Sequence, residues 1–268
     1  MVKKQGTDSG PDGPHAPDDA DGGLLEILDR LDERPDARAL RQRSYELLGM
    51  GPDMPAVDVG CGAGRAVAEL SGAGANATGV DIDEGMLAAA RRRHPGLDFR
   101  WAGAYDLPFA DGAVRGYRAD KVFHNLDEPA RALAEAARVL APGDGRVVLL
   151  GQDWDTFVID SDDAELTRTI VHARADAVPG PRTARRYRNL LLDAEFRNVT
   201  VEAHTGISTD ASMLPVLHGL AAAAVTVGAV TRHRADQWIA EQEARAGSGR
   251  LFLAVPMFVA AADAPGHR

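Results

Sequence analysis

The chain has 268 residues, with 40 acidic and 30 basic side chains, a formal charge of −10 and an isoelectric point near 5.3. A hydrophobic content of 45% suffices for a sizeable core, so disorder throughout is excluded. The acidic balance disfavours nucleic acid. The single cysteine, Cys61, allows neither an intramolecular disulfide nor a Cys-rich zinc site, and no apolar run is long enough for a membrane span or a secretory signal.

Residues 1–23 hold almost no apolar side chains and carry five Asp against two Lys, which predicts a disordered acidic tail and leaves −7 on the rest. Leu24, Leu25, Ile27, Leu28 and Leu31 recur at helical spacing and predict a short amphipathic helix ending before Pro35. A second helix is expected over 36–50, so that residues 24–50 form N-terminal cap helices. Strands follow at 56–59, 77–81, 97–101, 113–118, 146–151, 199–203 and 251–261. Helices are expected at 64–71, 85–93, 128–140 and 183–194. Strand alternating with helix at this spacing signals an α/β fold on a parallel sheet. Two stretches exceed that unit: 155–178, with a helix, and 209–246, with two helices separated near 232–235.

The informative string is Val57-Asp58-Val59-Gly60-Cys61-Gly62-Ala63-Gly64-Arg65. Glycines let the backbone turn sharply off a strand and let a ligand come close. A dinucleotide fingerprint needs G-x-G-x-x-G, but Arg65 stands where its third Gly belongs. An acid beside the loop, Asp58, also suits a pyrophosphate poorly. The pattern favours a nucleoside with an amino-acid tail. Asp81 ends the second strand, 21 residues after Gly60, where an acid can accept both ribose hydroxyls. Asp83 suits a helix N-cap, and 91–94 reads as a solvated basic helix end.

These residues, together with GVDIDEGML, DLPFADGAV, HNLDEPARALAEAARVLAPGDGRVVLL and LLDAEFRNV, resemble the class I S-adenosylmethionine-dependent methyltransferases. The similarity is to the small-molecule branch of the ubiquinone/menaquinone (type 11) enzymes and spans about residues 39–205. It implies a Rossmann-like seven-stranded, mostly parallel sheet with helices on both faces, the last strand antiparallel, and helical lid insertions. The core is expected over 51–205 and 250–262, with the substrate lid at 152–180 and 206–249.

The implied cofactor is S-adenosyl-L-methionine. Gly60, Cys61, Gly62 and Gly64 form its loop, Asp81 holds the ribose, and Ile82 and Met86 flank the adenine. The family commonly has Asp-Ala where Gly103-Ala104 stands, which leaves adenine recognition to Ala104 and Tyr105. Arg118 and Ala119 end the fourth strand, where relatives contact the amino-acid end of the cofactor. Relatives often place His where Asn125 stands; here His124 comes one position earlier.

His124, Asp153 and Tyr105 are the candidate bases, and no metal is expected. Trp154 and Asp155 leave the fifth strand at the ligand-binding edge, and His172 and His218 lie in the lid segments, so these four are candidate substrate contacts. The expected reaction is methyl transfer to an O, N or C atom of a small, partly hydrophobic metabolite, in a cytoplasmic, bacterial setting of specialised metabolism. A homodimer through residues 209–230 is a further expectation. Alternatives are a cofactor-binding protein of this fold with a structural or regulatory role, and a cyclase-like enzyme. A nicotinamide oxidoreductase lacks its glycine pattern, and nucleic-acid methylation lacks a basic face or an Asn/Asp-Pro-Pro-aromatic motif.

Overall fold

The computed structural model describes residues 18–266. The tail's first 17 residues lie outside that range, but the stretch read as unstructured to residue 23 is already helical from Asp18. Helix α1 runs Asp18–Asp32 and α2 Pro35–Leu48. Pro35 sits in the first turn of α2, where its missing N–H costs nothing, and Gly49 closes the helix with φ of +65°.

The sheet core follows in βα units: β1 Pro55–Val59, α3 Arg65–Gly72, β2 Asn76–Asp81, α4 Glu84–Arg93, β3 Asp98–Trp101, β4 Gly116–Asp120, α5 Pro129–Val139 and β5 Arg146–Gln152. Asp83 caps α4, accepting from the Met86 N–H at 3.0 Å. Then come β6 Val158–Ile159, α6 Ala164–Asp176, α7 Thr183–Asp193, β7 Arg197–Ser208, α8 Leu214–Thr226, α9 Arg232–Gly247 and β8 Leu253–Asp263.

The strand order is β3-β2-β1-β4-β5-β8-β6, with β7 on the other edge of β8. Strands β1–β5 are parallel, and β8 runs antiparallel to β5, β6 and β7. Among the described residues a short eighth strand joins the expected seven, because β8 extends past the end of β5. There its residues 253–254 pair with the two-residue β6. Strand β7 is 12 residues long rather than five, since its outward side chains keep alternating through Ile207. The break between α8 and α9 falls at 227–231, not 232–235, because Thr231 caps α9 by accepting from the Arg234 N–H.

Both sheet faces are covered. Val57, Tyr117, Val147 and Leu149 pack against α5 and α7, and Val148, Leu150, Val259 and Ala261 lie on the α2–α3 side. A third cluster joins α6, α8 and α9 around Trp238, Ile170 and Leu220. It includes Leu217, Leu220, Ala221 and Ala224 of α8. Among the described residues no helix is long and apolar enough to cross a membrane.

Candidate active site

The glycine loop leaves β1 at the carboxyl edge of the sheet. The Gly60 and Cys61 N–H groups donate to Val80 O at 2.8 and 3.1 Å, and the Gly62 N–H donates to Asp81 Oδ2 at 2.8 Å. Gly60 and Gly64 have φ of +69° and +85°, a region that a side chain disfavours. A Cβ on Gly60 would collide with Val122, and one on Gly64 with Phe99, whereas one on Gly62 would meet open space. The loop is thus wedged at both ends and open in the middle.

That opening faces a cavity of about 850 Å³, a volume suited to a small-molecule site. Asp58, Gly60, Cys61, Gly62, Asp81, Met86 and Arg118 line it, as expected of cofactor residues. Asp81 uses both oxygens locally, taking the Gly62 N–H and, at 3.0 Å, the Asp83 N–H. Among the described residues seven carboxylates and five Lys or Arg side chains wall the cavity, an acidic balance that favours a cationic ligand.

The other expected cofactor residues stand elsewhere. Gly64 starts α3, while Ala104 and Ala119 are buried in the core, packed on the α5 side. Ile82 is outside the cavity wall but 68% exposed, close to Gly103 and under the Trp101 indole, whose Nε1–H donates to Ile82 O at 3.0 Å. Ile82 follows the last residue of β2 and presents a large exposed apolar side chain there.

Arg118 is the centre of a buried network. Its guanidinium bonds Asp58 Oδ1 at 2.7 Å, Asp120 Oδ2 at 2.8 Å and Ser44 Oγ at 2.9 Å, and lies over the Tyr45 ring. Burial works against the Arg118 charge, but Asp58 and Asp120 outweigh it and hold the group above its ordinary value. Burial also opposes the Asp120 charge, and Lys121 and Arg118 overcome that to hold its carboxyl below the usual range. One Asp120 oxygen, Oδ1, is buried with no partner among the described residues, in a side chain that lines the cavity. Burial pushes the Cys61 thiol up, so it stays a neutral packing group.

Several cavity residues were not anticipated. Helix α1 crosses the opening with Leu25, Leu28, Asp29 and Asp32. Asp29 takes two bonds from Arg93, at 2.9 and 2.7 Å, and one from Arg65 at 3.4 Å; Lys121 lies 3.7 Å from Asp32. Arg93 and His94, read as a solvated helix end, therefore belong to the cavity wall. A local sequence reading sees the end of α4 but not the helix that folds over it.

None of the three candidate bases lines this cavity. The Tyr105 hydroxyl accepts the Glu128 N–H at 3.1 Å, and its ring lies under Arg131. Asp153 is fully buried, its two oxygens held by Arg185 and by the Asp155 N–H. His124 is 7% exposed, and burial, with Arg174 and Lys121 adding to it, pushes its imidazole down to about 4.

The expected substrate contacts divide similarly. Asp155 pairs with Arg182, His172 is exposed on α6, and half-exposed His218 sits 3.1 Å from Glu243 on α9. Helices α8 and α9 do leave β7 at the sheet edge that carries the glycine loop, but they lie beside β8 and β6, and no residue of 152–180 or 206–249 lines the cavity. The Trp154 ring makes an edge contact with His124 at 5.5 Å, and the Asp155 N–H donates to Asp153. Among the described residues no group of three or more His, Cys, Asp or Glu is placed to hold a metal.

A family profile described as a methyltransferase domain matches residues 57–149. An uncharacterised 37.1 kDa protein of transposon TN4556 from Streptomyces fradiae is 32% identical over 90% of this chain and 71% of its own length. The demethylmenaquinone methyltransferase of Renibacterium salmoninarum is 33% identical over 45% of this chain, which spans half of that enzyme. Among solved structures, geranyl diphosphate C-methyltransferase from Streptomyces coelicolor A3(2), with Mg2+, geranyl diphosphate and S-adenosyl-L-homocysteine, superposes with a TM-score of 0.53 at 21% identity. That match covers 94% of this chain and 85% of the other, and at this identity it speaks for the fold.

Proposed function

Because the chain belongs to the class I S-adenosylmethionine-dependent methyltransferases of the type 11 group, we propose that it transfers the methyl group of S-adenosylmethionine to an O, N or C atom of a small, partly hydrophobic metabolite. The setting proposed is bacterial specialised metabolism in a reducing cytoplasm, where the lone buried Cys61 stays a thiol.

The observation that carries the reading is the 2.8 Å bond joining Asp81 to the Gly62 N–H in one cavity wall. The residues present fit the cofactor. Gly62 is open where a Cβ would stand, the lining is net acidic, and Asp81 retains acceptor capacity on both oxygens. When bound, S-adenosylmethionine supplies an activated methyl group and its own leaving group.

This chain's residues would bind and orient. Asp81 accepts the ribose hydroxyls, Ile82 and Met86 give the adenine an apolar platform, and the open loop at Gly62 admits the amino-acid tail. Asp120 Oδ1, ionised and unpartnered, is suited to accept the tail's ammonium. Arg118 acts one step back, fixing Asp58 and Asp120 rather than taking the tail's carboxylate itself. With Asp153 held by Arg185 and the Tyr105 hydroxyl by the Glu128 N–H, rate enhancement would come mainly from alignment of acceptor and methyl group.

Calorimetry with S-adenosylhomocysteine tests this reading. Micromolar binding that is lost in Asp81→Ala is expected, and absence of binding by the wild type overturns it. The sequestered bases also favour a second reading, cofactor binding without transfer. Turnover on any acceptor excludes that one.

A further inference from the structure

Arg174, in the last turn of α6, is a half-buried cation with no carboxylate partner among the described residues. Arg41, Arg118 and Arg138 are also drawn into the protein, and each faces a carboxylate, Glu69, Asp58 and Glu135 respectively, within 2.8 Å. Leaving a guanidinium partly desolvated and unpaired is costly. Complementing the helix dipole would require only that it point along the helix end. Instead its guanidinium carbon lies 4.4 Å from the Trp154 ring centroid.

Around it stand further unmet polar groups. Trp154 Nε1–H, a donor only, is buried without an acceptor, and His124 Nδ1 is buried without a partner. Phe157 stacks on the Trp154 ring at 5.5 Å with 20° between planes. The cluster sits beyond the carboxyl ends of β4 and β5, the edge that carries the cavity. Asp120 and Lys121, which line the cavity, act electrostatically on His124, as does Arg174. The chain of residues thus runs from the cavity wall through His124 and Trp154 to an unpaired positive charge.

We infer that Arg174 and the Trp154 Nε1–H hold an anionic oxygen group, a carboxylate or a phosphate, on the methyl acceptor, with Trp154 and Phe157 flanking its apolar part. This rests on the methyltransferase reading for what the bound molecule is, but not for whether an anion binds. A planar guanidinium and a single N–H match two oxygens of one such group, and binding would satisfy both at once. His124, kept neutral, bounds the site and leaves Arg174 as the cation that faces the anion.

The test follows the three indole N–H signals by 15N NMR in the full chain saturated with S-adenosylhomocysteine, at fixed ionic strength. The probes are inorganic phosphate, 1-naphthoate and the neutral 1-naphthamide, and Trp154→Phe assigns the Trp154 signal. Phosphate or naphthoate should shift that signal saturably, at concentrations at least tenfold below those at which naphthamide does. Arg174→Gln should abolish the preference while the Trp101 and Trp238 signals keep their positions, which controls for folding. A shift by phosphate alone assigns a phosphorylated acceptor, and one by naphthoate alone a carboxylated one. No shift by either anion, equal shifts by naphthoate and naphthamide, or an unchanged preference in Arg174→Gln overturns the inference. Failure of S-adenosylhomocysteine to bind would instead strike the methyltransferase reading, and the anion titration would be scored without it.

Discussion

Arg118 Nη1 lies 2.7 Å from Asp58 Oδ1, the two residues being register partners on neighbouring parallel strands with 3% of each side chain exposed. The pair connects fold to site. Asp58 precedes the glycine loop, and Arg118 reaches on to Asp120, a cavity-lining residue whose other oxygen is buried without a partner among the described residues. Strand pairing and cofactor-site electrostatics therefore share one guanidinium.

Replacing Arg118 by Met should leave Asp58 buried without its cation and Asp120 reliant on Lys121. Removing one partner of a buried pair costs about 3–5 kcal/mol. Chemical denaturation of Arg118→Met should show a loss of that order, and Asp58→Asn/Arg118→Met together should lose less than the sum of the two singles. Additive effects would mean that the pair is not coupled.

Gly60 makes a steric prediction that the site can report. A methyl there collides with the Val122 side chain, and the φ of +69° adds strain of about 1–2 kcal/mol for a residue with a Cβ. Gly60→Ala should weaken S-adenosylhomocysteine binding at least tenfold. Adding Val122→Ala should recover part of that affinity, because the collision is removed while the strain stays. If the double variant binds no better than the single, Val122 is not what the loop packs against.

Helix α1 should behave as an ionic clasp over the cavity. Asp29 holds Arg93 and Arg65 from that helix, and these pairs are partly solvated, worth about 0.2–1 kcal/mol each. Arg93 first and burial second set opposing pulls on Asp29, and its carboxyl ends below the usual range. Asp29→Asn should weaken S-adenosylhomocysteine binding by about two- to tenfold and speed amide exchange in 25–32. High salt should give the wild type a similar loss and the variant little further change. An unaltered affinity in Asp29→Asn would show that α1 covers the cavity without latching it.

The parts legible in the sequence were those written in local spacing. Gly60, Gly62 and Gly64 after an apolar strand, and Asp81 at the next strand end, give the loop and its acid, and both line or border the cavity. Alternating strands and helices give the sheet. What periodicity does not encode is which surface a segment meets. Leu217 and Leu220 were legible as an apolar face, but not that α6 and α9 are what they meet. Arg93 looked solvent-bound because its partner, Asp29, lies 64 residues away. Asp153 sat at the right strand end for catalysis, but Arg185, 32 residues on, takes its oxygens. Asp120 went unnoticed because no motif flags a lone carboxylate, and only its unmatched oxygen draws attention to it.

His124 should make the protein sensitive to mild acid. Burial first, then Arg174 and Lys121, bring its imidazole from 6.5 down to about 4. The unfolded chain takes up a proton as pH falls through about 6.5, whereas the folded chain resists until about 4. Folding is thus favoured above 6.5, and stability is lost across the window from 6.5 to about 4, by roughly 3 to 3.5 kcal/mol in all. Other carboxylates titrate toward the lower end, so the comparison has to be with His124→Gln, which keeps a polar side chain and removes the titration. Denaturation midpoints measured from pH 7 to 4.5 should fall more steeply for the wild type than for the variant. NMR titration of the His124 ring should place its midpoint near 4. A midpoint near 6.5 with parallel stability curves would show the imidazole to be solvated.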